Sequence, residues 1–380
     1  MVKILIAGDF APHGRIENLI YKEKYDEIFR EVIPHTSQVD YSIVNLEAPV
    51  VESTSAKPIE KCGPNLKCDA KAITAIKYAG FDMVTLANNH FYDYGEDGVR
   101  DTINACLEKG LEFVGGGLDI EQASMTFYKT INGFRFAFIN CCENEFSIAK
   151  KDSGGSNPIN PIQQFYAINE SRKNADYVIV IVHGGPEGYQ YPTPRMKELY
   201  RYFIDSGADA VVNHHQHCYS GCEFYNKKPI IYGLGNFCFD NPTCIDPRWC
   251  LGYMVVLNFD SSKITIEHIP YQQGFTAPGI RILDKHETKQ FQEDLKNINN
   301  TLQDDDELSE RYYSFAEKLS DMYLITLEPY TNRYLKAARF RHMLPSTMNK
   351  KRALHILNYL LCESHIERMR YVVNRLCKSK

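Results

Sequence analysis

The stretch GADAVVNHHQH, Gly207 to His217, passes from a helix-ending glycine through a short β-branched apolar run into three histidines. A run such as Ala210–Asn213, bounded by polar residues, predicts a buried strand. Imidazoles placed directly after it stand at the carboxyl end, where an open α/β sheet collects the groups that meet ligands. The same grammar recurs upstream: Asp9 follows the run Val2–Ala7, Asn45 and Glu47 end and follow Tyr41–Asn45, Asn88, Asn89 and His90 follow Met83–Ala87, and His183 follows Tyr177–Val182. Five strand ends thus carry O and N donors to one edge. Carboxylate, amide oxygen and imidazole without a thiolate suit one or two divalent ions of Mn, Fe or Zn. His215 and His217 can face two neighbouring cations, and a bridging Glu47 lowers the repulsion between them. Such a pair can activate a water and clamp a phosphoryl or carbonyl oxygen. Taken singly, Asp9 reads as a helix cap, Asn88-Asn89 as a turn and His183 as a structural imidazole; five coincidences at successive strand ends do not. His13 reads as an exposed loop residue, and His214 packs or hydrogen-bonds as readily as it coordinates.

Outward from these ends, the first two-thirds of the chain predicts α/β architecture. Further strands are expected at Glu112–Val114, Phe134–Asn140 and Ile230–Tyr232, with an antiparallel pair, Val255–Phe259 and Ile264–Ile269, across the turn Asp260-Ser261-Ser262. Helices are expected over Ala70–Ala79, Gly98–Lys109 and Arg195–Ser206, each ending near a glycine, and 150–160 reads as a loop. After about residue 284 strand signals stop. Helical patterns cover 286–302, 308–322, 330–343 and 349–376, so the expected division is 1–284 and an α-helical, basic 285–380.

The chain has 380 residues, 44% hydrophobic and 24% charged, which excludes a disordered or collagenous protein. Its formal charge of -5 conceals an uneven distribution: 333–380 holds twelve Lys/Arg and two acids, about +10 against about -15 elsewhere. That tail offers a contact for an anionic polymer, an acidic membrane surface or a partner subunit, while the acidic remainder and the lack of a recognised binding module argue against nucleic acid. No stretch is apolar enough to span a membrane and the N-terminus does not read as a signal peptide, so a cytoplasmic protein is expected, peripheral to the membrane where the tail docks. The twelve cysteines lack disulfide-framework spacing. Cys218, Cys222, Cys238, Cys244 and Cys250 lie near the histidines without a CxxC pair, so a structural zinc site is not predicted. Cys141-Cys142 reads as core rather than nucleophile.

Seven pieces, IAGDF (6–10), VNLEAPV (44–50), FDMVTLANNHFYDYG (81–95), GLEFVGGG (110–117), VHGGPEGYQYPTP (182–194), GADAVVNHHQH (207–217) and YGLGNFCFD (232–240), resemble in order the bacterial capsule and poly-γ-glutamate synthesis proteins (CapA-like), relatives of calcineurin-like metallophosphoesterases. The resemblance implies a four-layer α/β/β/α sandwich with a C-terminal helical extension. It implies Asp9 and His217 on one metal, Asn89, His183 and His215 on another, Glu47 between them, and His90 as the catalytic acid or oxyanion stabiliser. Asn236, in the late Gly-Asn-Phe signature, is expected to support the site, with Asn45, Asn88 and His214 around it; Glu187 and Tyr189 are expected to touch substrate. The chain departs from the pattern in three places: Asp9-Phe10-Ala11 lacks the imidazole of the Asp-x-His start, His183-Gly184-Gly185 replaces His-Trp-Gly, and Asn213-His214-His215-Gln216-His217 replaces Gly-His-x-Pro-His. The implied function is a metal-dependent hydrolase-like protein of capsule, poly-γ-glutamate or exopolysaccharide biosynthesis, a hydroxide on the metal attacking a phosphoester or amide. Its substrate would be an anionic polymer or phosphorylated small molecule, with capsule biosynthesis proteins as partners. The alternative is a non-catalytic polymer-binding or assembly scaffold.

Overall fold

A strand that is apolar along most of its length must be covered on both faces; in Val2–Phe10 only Lys3 is not buried. In Val2–Phe10 the residues Val2, Ile4 and Ile6 meet Ile179, Ile181 and Val212 of a second sheet. Its Leu5 and Ala7 face the opposite way, toward Ile73, Ile76, Val99 and Ile103 on the helices Lys71–Tyr78 and Gly95–Glu108. The second sheet repeats the alternation: Val178, Val180 and Val182 turn outward onto Leu199, Tyr200 and Phe203 of the helix Pro194–Asp205. The result is a four-layer α/β/β/α sandwich with three cores. The computed structural model describes residues 1–241, 246–260, 263–274, 277–330 and 332–361, together with 365, 373 and 377.

The first sheet runs Ile280–Ile282, Ile264–Gln273, Leu251–Phe259, Val2–Phe10, Tyr41–Leu46, Met83–Thr85, Glu112–Val114, and Asn236–Cys238 also pairs with Val2–Phe10. The second runs Cys222–Tyr225, Lys228–Ile231, Ala210–His214, Tyr177–His183, Phe134–Cys142, Phe127–Ile131. Each has a parallel centre, the first over its last four strands and the second from Lys228–Ile231 to Phe134–Cys142. Register does the rest. Asp9 sits opposite Asn45 in one sheet and His183 opposite His214 in the other, so the polar strand ends of both sheets stand at comparable heights.

Several elements differ from the sequence reading. Met83–Thr85 stops short of Ala87, because Ala87 N–H donates to the Asn140 side chain rather than to a neighbouring strand. The helix Pro161–Asn174 was not expected, since its exposed Ile162, Phe165 and Tyr166 blur any apolar stripe. The segment expected to be a loop contains the strand Gly155–Ser156, paired with Gly116–Gly117. The antiparallel pair is longer than expected, Leu251–Phe259 against Ile264–Gln273; Ser261 and Ser262 of its expected turn lie outside the described residues, as do Cys244 and most of 362–380.

The expected division at 284 also moves. The chain forms two units, Met1–Ser309 and Glu310–Lys380, because the helix Lys285–Thr301 belongs to the first. Asp284 caps it by accepting from the His286 and Glu287 amides at 2.8 and 2.9 Å. Its Phe291, Leu295 and Ile298 join the core between the sheets, and Leu302 and Leu308 join the outer one. Lys197, buried, donates to the Leu302 carbonyl and to Asp305. The second unit holds residues 310–318 of the helix Asp305–Lys318 and the helices Ser320–Leu327, Arg333–Phe340 and Lys350–Leu361, the last within the expected 349–376. Leu295→Ala should cost about 2–5 kcal/mol of stability in chemical denaturation of the full chain; an unchanged midpoint would place this helix outside the folded body.

Candidate metal centre

The donors meet where the two parallel sheets face each other. From the first sheet, Asp9 accepts from Asn45 Nδ2 at 2.8 Å through Oδ1 and from the His215 amide at 3.1 Å through Oδ2. From the second, His183 brings Nε2 to 3.1 Å from Asn89 Oδ1 and Nδ1 to 3.3 Å from Asn45 Nδ2. Glu47 is fully buried and neither carboxylate oxygen has a hydrogen-bond partner. Its Oε1 lies 3.4 Å from His183 Nε2 and 3.7 Å from His217 Nε2. Three donor sets overlap here: Glu47, His183 and His215; Asp9, Glu47 and His217; Glu187, His215 and His217, each with ligand atoms within 4.8 Å of one another.

Second contacts orient these ligands. Asn236 Oδ1 lies 2.9 Å from His217 Nδ1, so it accepts that proton and leaves Nε2 as the nitrogen with a lone pair for a cation. The same amide donates to the carbonyls of His217 and Trp249 at 3.2 Å. His217 is walled by Phe239 and Trp249, ring centroids 5.4 and 5.0 Å away. His215 and His217 adopt φ of 86° and 53°, a left-handed backbone costly for residues with a Cβ and characteristic of functional turns. The Asn88–His90 turn is clamped by serines: Ser156 Oγ donates to the Asn88 carbonyl at 2.8 Å and Ser147 Oγ to that of Asn89 at 2.6 Å.

The residues expected around the candidate ligands brace the site. His214 spans the sheets, Nε2 at 2.9 Å from the Ala7 carbonyl, and belongs to none of the donor sets. Asn88 holds the turn, accepting from the His90 amide and donating to the Leu46 carbonyl. Asn45 braces Asp9 and His183. Tyr189 is buried, and its carbonyl accepts from Gln216 Nε2 at 2.7 Å. His13 stands beside Phe239, centroids 6.4 Å apart. Two residues that the sequence reading missed surround His90: its Nδ1 lies 2.7 Å from Asp93 Oδ2 and 3.2 Å from Lys61 Nζ, and Lys61 pairs with Asp93. Asp93 lies inside the quoted Asn-Asn-His segment, three residues after His90; nothing local marks Lys61, which arrives from a long loop.

Residues 3–241 match the family described as bacterial capsule synthesis protein PGA_cap. The chain belongs to this family. It is 32% identical over 289 residues to the capsule biosynthesis protein CapA of Bacillus anthracis, covering 74% of this chain and 70% of that one. To the PGA biosynthesis protein CapA of Bacillus subtilis strain 168 it is 33% identical over 237 residues, covering 61% of this chain and 62% of the relative. Among solved structures, a novel phosphatase from Mycoplasma pneumoniae is similar at 16% identity and a TM-score of 0.44, covering 76% of this chain and 96% of that one.

The donor chemistry fits a divalent cation. Burial and the neighbouring Asp9 and Glu187 charges push the Glu47 carboxyl well above the usual carboxylate range. Burial, with other imidazoles close by, holds His183 well below its ordinary value and His215 down to about 3. The imidazoles are therefore neutral, with lone pairs ready for a metal, and the proton to be displaced is on Glu47. Cation affinity should rise from pH 5 to pH 8 as that proton becomes easier to remove. The sign for the cation-free fold is opposite for the two types. Stability from the raised Glu47 is full below the unfolded carboxyl value and lost as pH rises; stability with His183 and His215 held neutral is lost as pH falls below about 6.5. Trp249 is the sole tryptophan of the chain, so Mn added to metal-stripped protein should quench its emission and raise Tm, more at pH 8 than at pH 5, and His217→Ala should abolish both responses.

Proposed function

We propose that the chain is a metal-dependent hydrolase of capsule, poly-γ-glutamate or exopolysaccharide biosynthesis, cleaving a phosphoester or amide in an anionic polymer or phosphorylated small molecule. The observation that carries this reading is Glu47: a fully buried carboxyl group whose two oxygens accept no hydrogen bond, with ring nitrogens of His183, His215 and His217 close by. A cation held by Asp9, Glu47, Asn89, His183, His215 and His217 would supply Lewis acidity and a water of lowered pKa. The chain's own groups supply position and proton transfer. His90 Nδ1–H donates to Asp93, so Nε2 is the nitrogen left to face substrate; it gives a proton to a leaving oxygen or nitrogen from the doubly protonated imidazolium, whose charge Asp93 balances. Asp93 is locked in turn by Lys61 and by the Leu66 amide at 2.6 Å. Lys61 adds a positive charge beside an otherwise acidic centre, which favours an anionic substrate group there.

His90→Ala should lower turnover of phosphodiester or phosphomonoester probes by about 10²–10⁴ while the Mn content of the purified protein stays as in wild type. Asp93→Asn should lower it less. A wild-type protein that holds metal, binds polymer and hydrolyses neither probe nor polymer would point to the scaffold reading.

We place the protein in the cytoplasm, docked peripherally on an acidic membrane surface. Eight of the ten described cysteines are buried, as reduced core thiols are, which supports a reducing compartment. No described helix is long and apolar enough to cross a membrane. The helix Lys350–Leu361 leaves Leu354, Leu357 and Leu360 exposed at 55%, 48% and 63%, spaced three residues apart along one face, and carries Lys350, Lys351 and Arg352 in its first turn. That combination of apolar stripe and cationic helix start favours anionic lipid. The full chain should co-sediment with phosphatidylserine vesicles at low salt and not with phosphatidylcholine vesicles, and Leu357→Glu should release it.

A further inference from the structure

Glu187 is an exposed carboxylate that pairs with no Lys or Arg among the described residues, yet its position is tightly specified. The loop after His183 is strapped onto the His214–His217 turn from both ends. Gly184 N–H donates to the His214 carbonyl at 3.3 Å and Gly188 N–H to the Gln216 carbonyl at 2.8 Å. Gln216 Nε2 returns two bonds, to the carbonyls of Tyr189 at 2.7 Å and Tyr191 at 3.0 Å. Gly185 N–H donates to Glu143 at 2.9 Å. This strapping brings a Glu187 oxygen and a ring nitrogen of each of His215 and His217 within 4.8 Å of one another. Two groups facing the same space are buried and unsatisfied: both Glu47 oxygens and Nδ1 of His215, which is 5% exposed.

A substrate contact needs neither a strapped loop nor a like-charged carboxylate. Placing a third acid beside Asp9 and Glu47 repels an anionic substrate, and repels Glu47 itself, unless a cation lies between them. We infer that Glu187 is a cation ligand on the solvent side of the centre, completing with His215 and His217 a donor set beside those built on Glu47. The inference rests on the metal-centre reading above. A hard carboxylate oxygen suits the same Mn, Fe or Zn as the buried donors. Being exposed, it is also the ligand that an incoming anionic oxygen can replace without disturbing the core.

The test is Mn titration of the metal-stripped full chain by calorimetry, with Trp249 emission as a second signal, for wild type, Glu187→Gln and Glu47→Gln. Glu187 is exposed, so metal-free Glu187→Gln should melt at the wild-type temperature. Loss of an outer-sphere partner alone weakens metal binding 10–100-fold in typical sites, so Glu187→Gln should weaken Mn binding about tenfold or more, or remove one equivalent. Wild-type stoichiometry and affinity in Glu187→Gln, with Glu47→Gln impaired, would overturn the inference and leave the metal centre standing. A change confined to KM for a phosphoester probe, with Mn binding intact, would overturn it in favour of a substrate contact. A wild-type chain that binds no Mn would overturn the metal centre itself.

Discussion

Taking a carboxylate out of water costs several kcal/mol unless donors or a cation replace the lost solvation, and Glu47 has no hydrogen-bond donor on either oxygen. Asp9, beside it, has two, from Asn45 and His215. The fold therefore brings two carboxyl groups together along the line where its sheets meet, and a divalent ion is the group that would make their ionised form favourable. Much of the surrounding structure serves that geometry. A Cβ on Gly8 would stand 1.9 Å from the Gly235 carbonyl, so the strands Val2–Phe10 and Asn236–Cys238 can approach as they do only through glycine. That approach carries Asn236 to His217.

Positive φ at His215 and His217 carries a backbone cost of about 1–3 kcal/mol each, and the turn persists because its surroundings over-determine it. His214 is bonded to the first sheet, the His215 amide to Asp9, the Gln216 side chain to two carbonyls of the neighbouring loop, and His217 to Asn236. A turn tied to both sheets cannot relax without separating them. Stability of the inter-sheet core and geometry of the donors are thus one property.

The two units obey different physics. In Met1–Ser309 every layer is covered, and even the helix after 284 is drawn in by Phe291, Leu295 and Ile298. In Glu310–Lys380 the described helices leave Tyr334, Phe340, Leu354 and Leu360 exposed among basic residues. Burying Arg339 there takes a dedicated carboxylate, Glu328, at 2.8 Å.

The apolar runs and their polar ends determined the α/β class, the central strands and the candidate donors at their ends, because a strand covered on both faces is apolar along most of its length and its polar residues gather at its end; the four-layer arrangement was what the family resemblance implied. The spacing of His215 and His217, and the sequence of motifs from Asp9 to Asn236, were legible for the same local reason. The reach of Lys61 to Asp93, the aromatic wall of Phe239 and Trp249, the hydrogen bond that makes His214 a tie between sheets, and the fold of the loop that carries Glu187 to the histidines were decided by tertiary structure alone. Each depends on where a loop closes against a distant strand, and loop closure is set by packing and hydrogen bonds between segments far apart in the chain, which no local periodicity records. The extent of the first unit follows the same division: helix 285–301 is visible in its own pattern, but which body it joins is chosen by the apolar surface that the sheets leave open to Phe291.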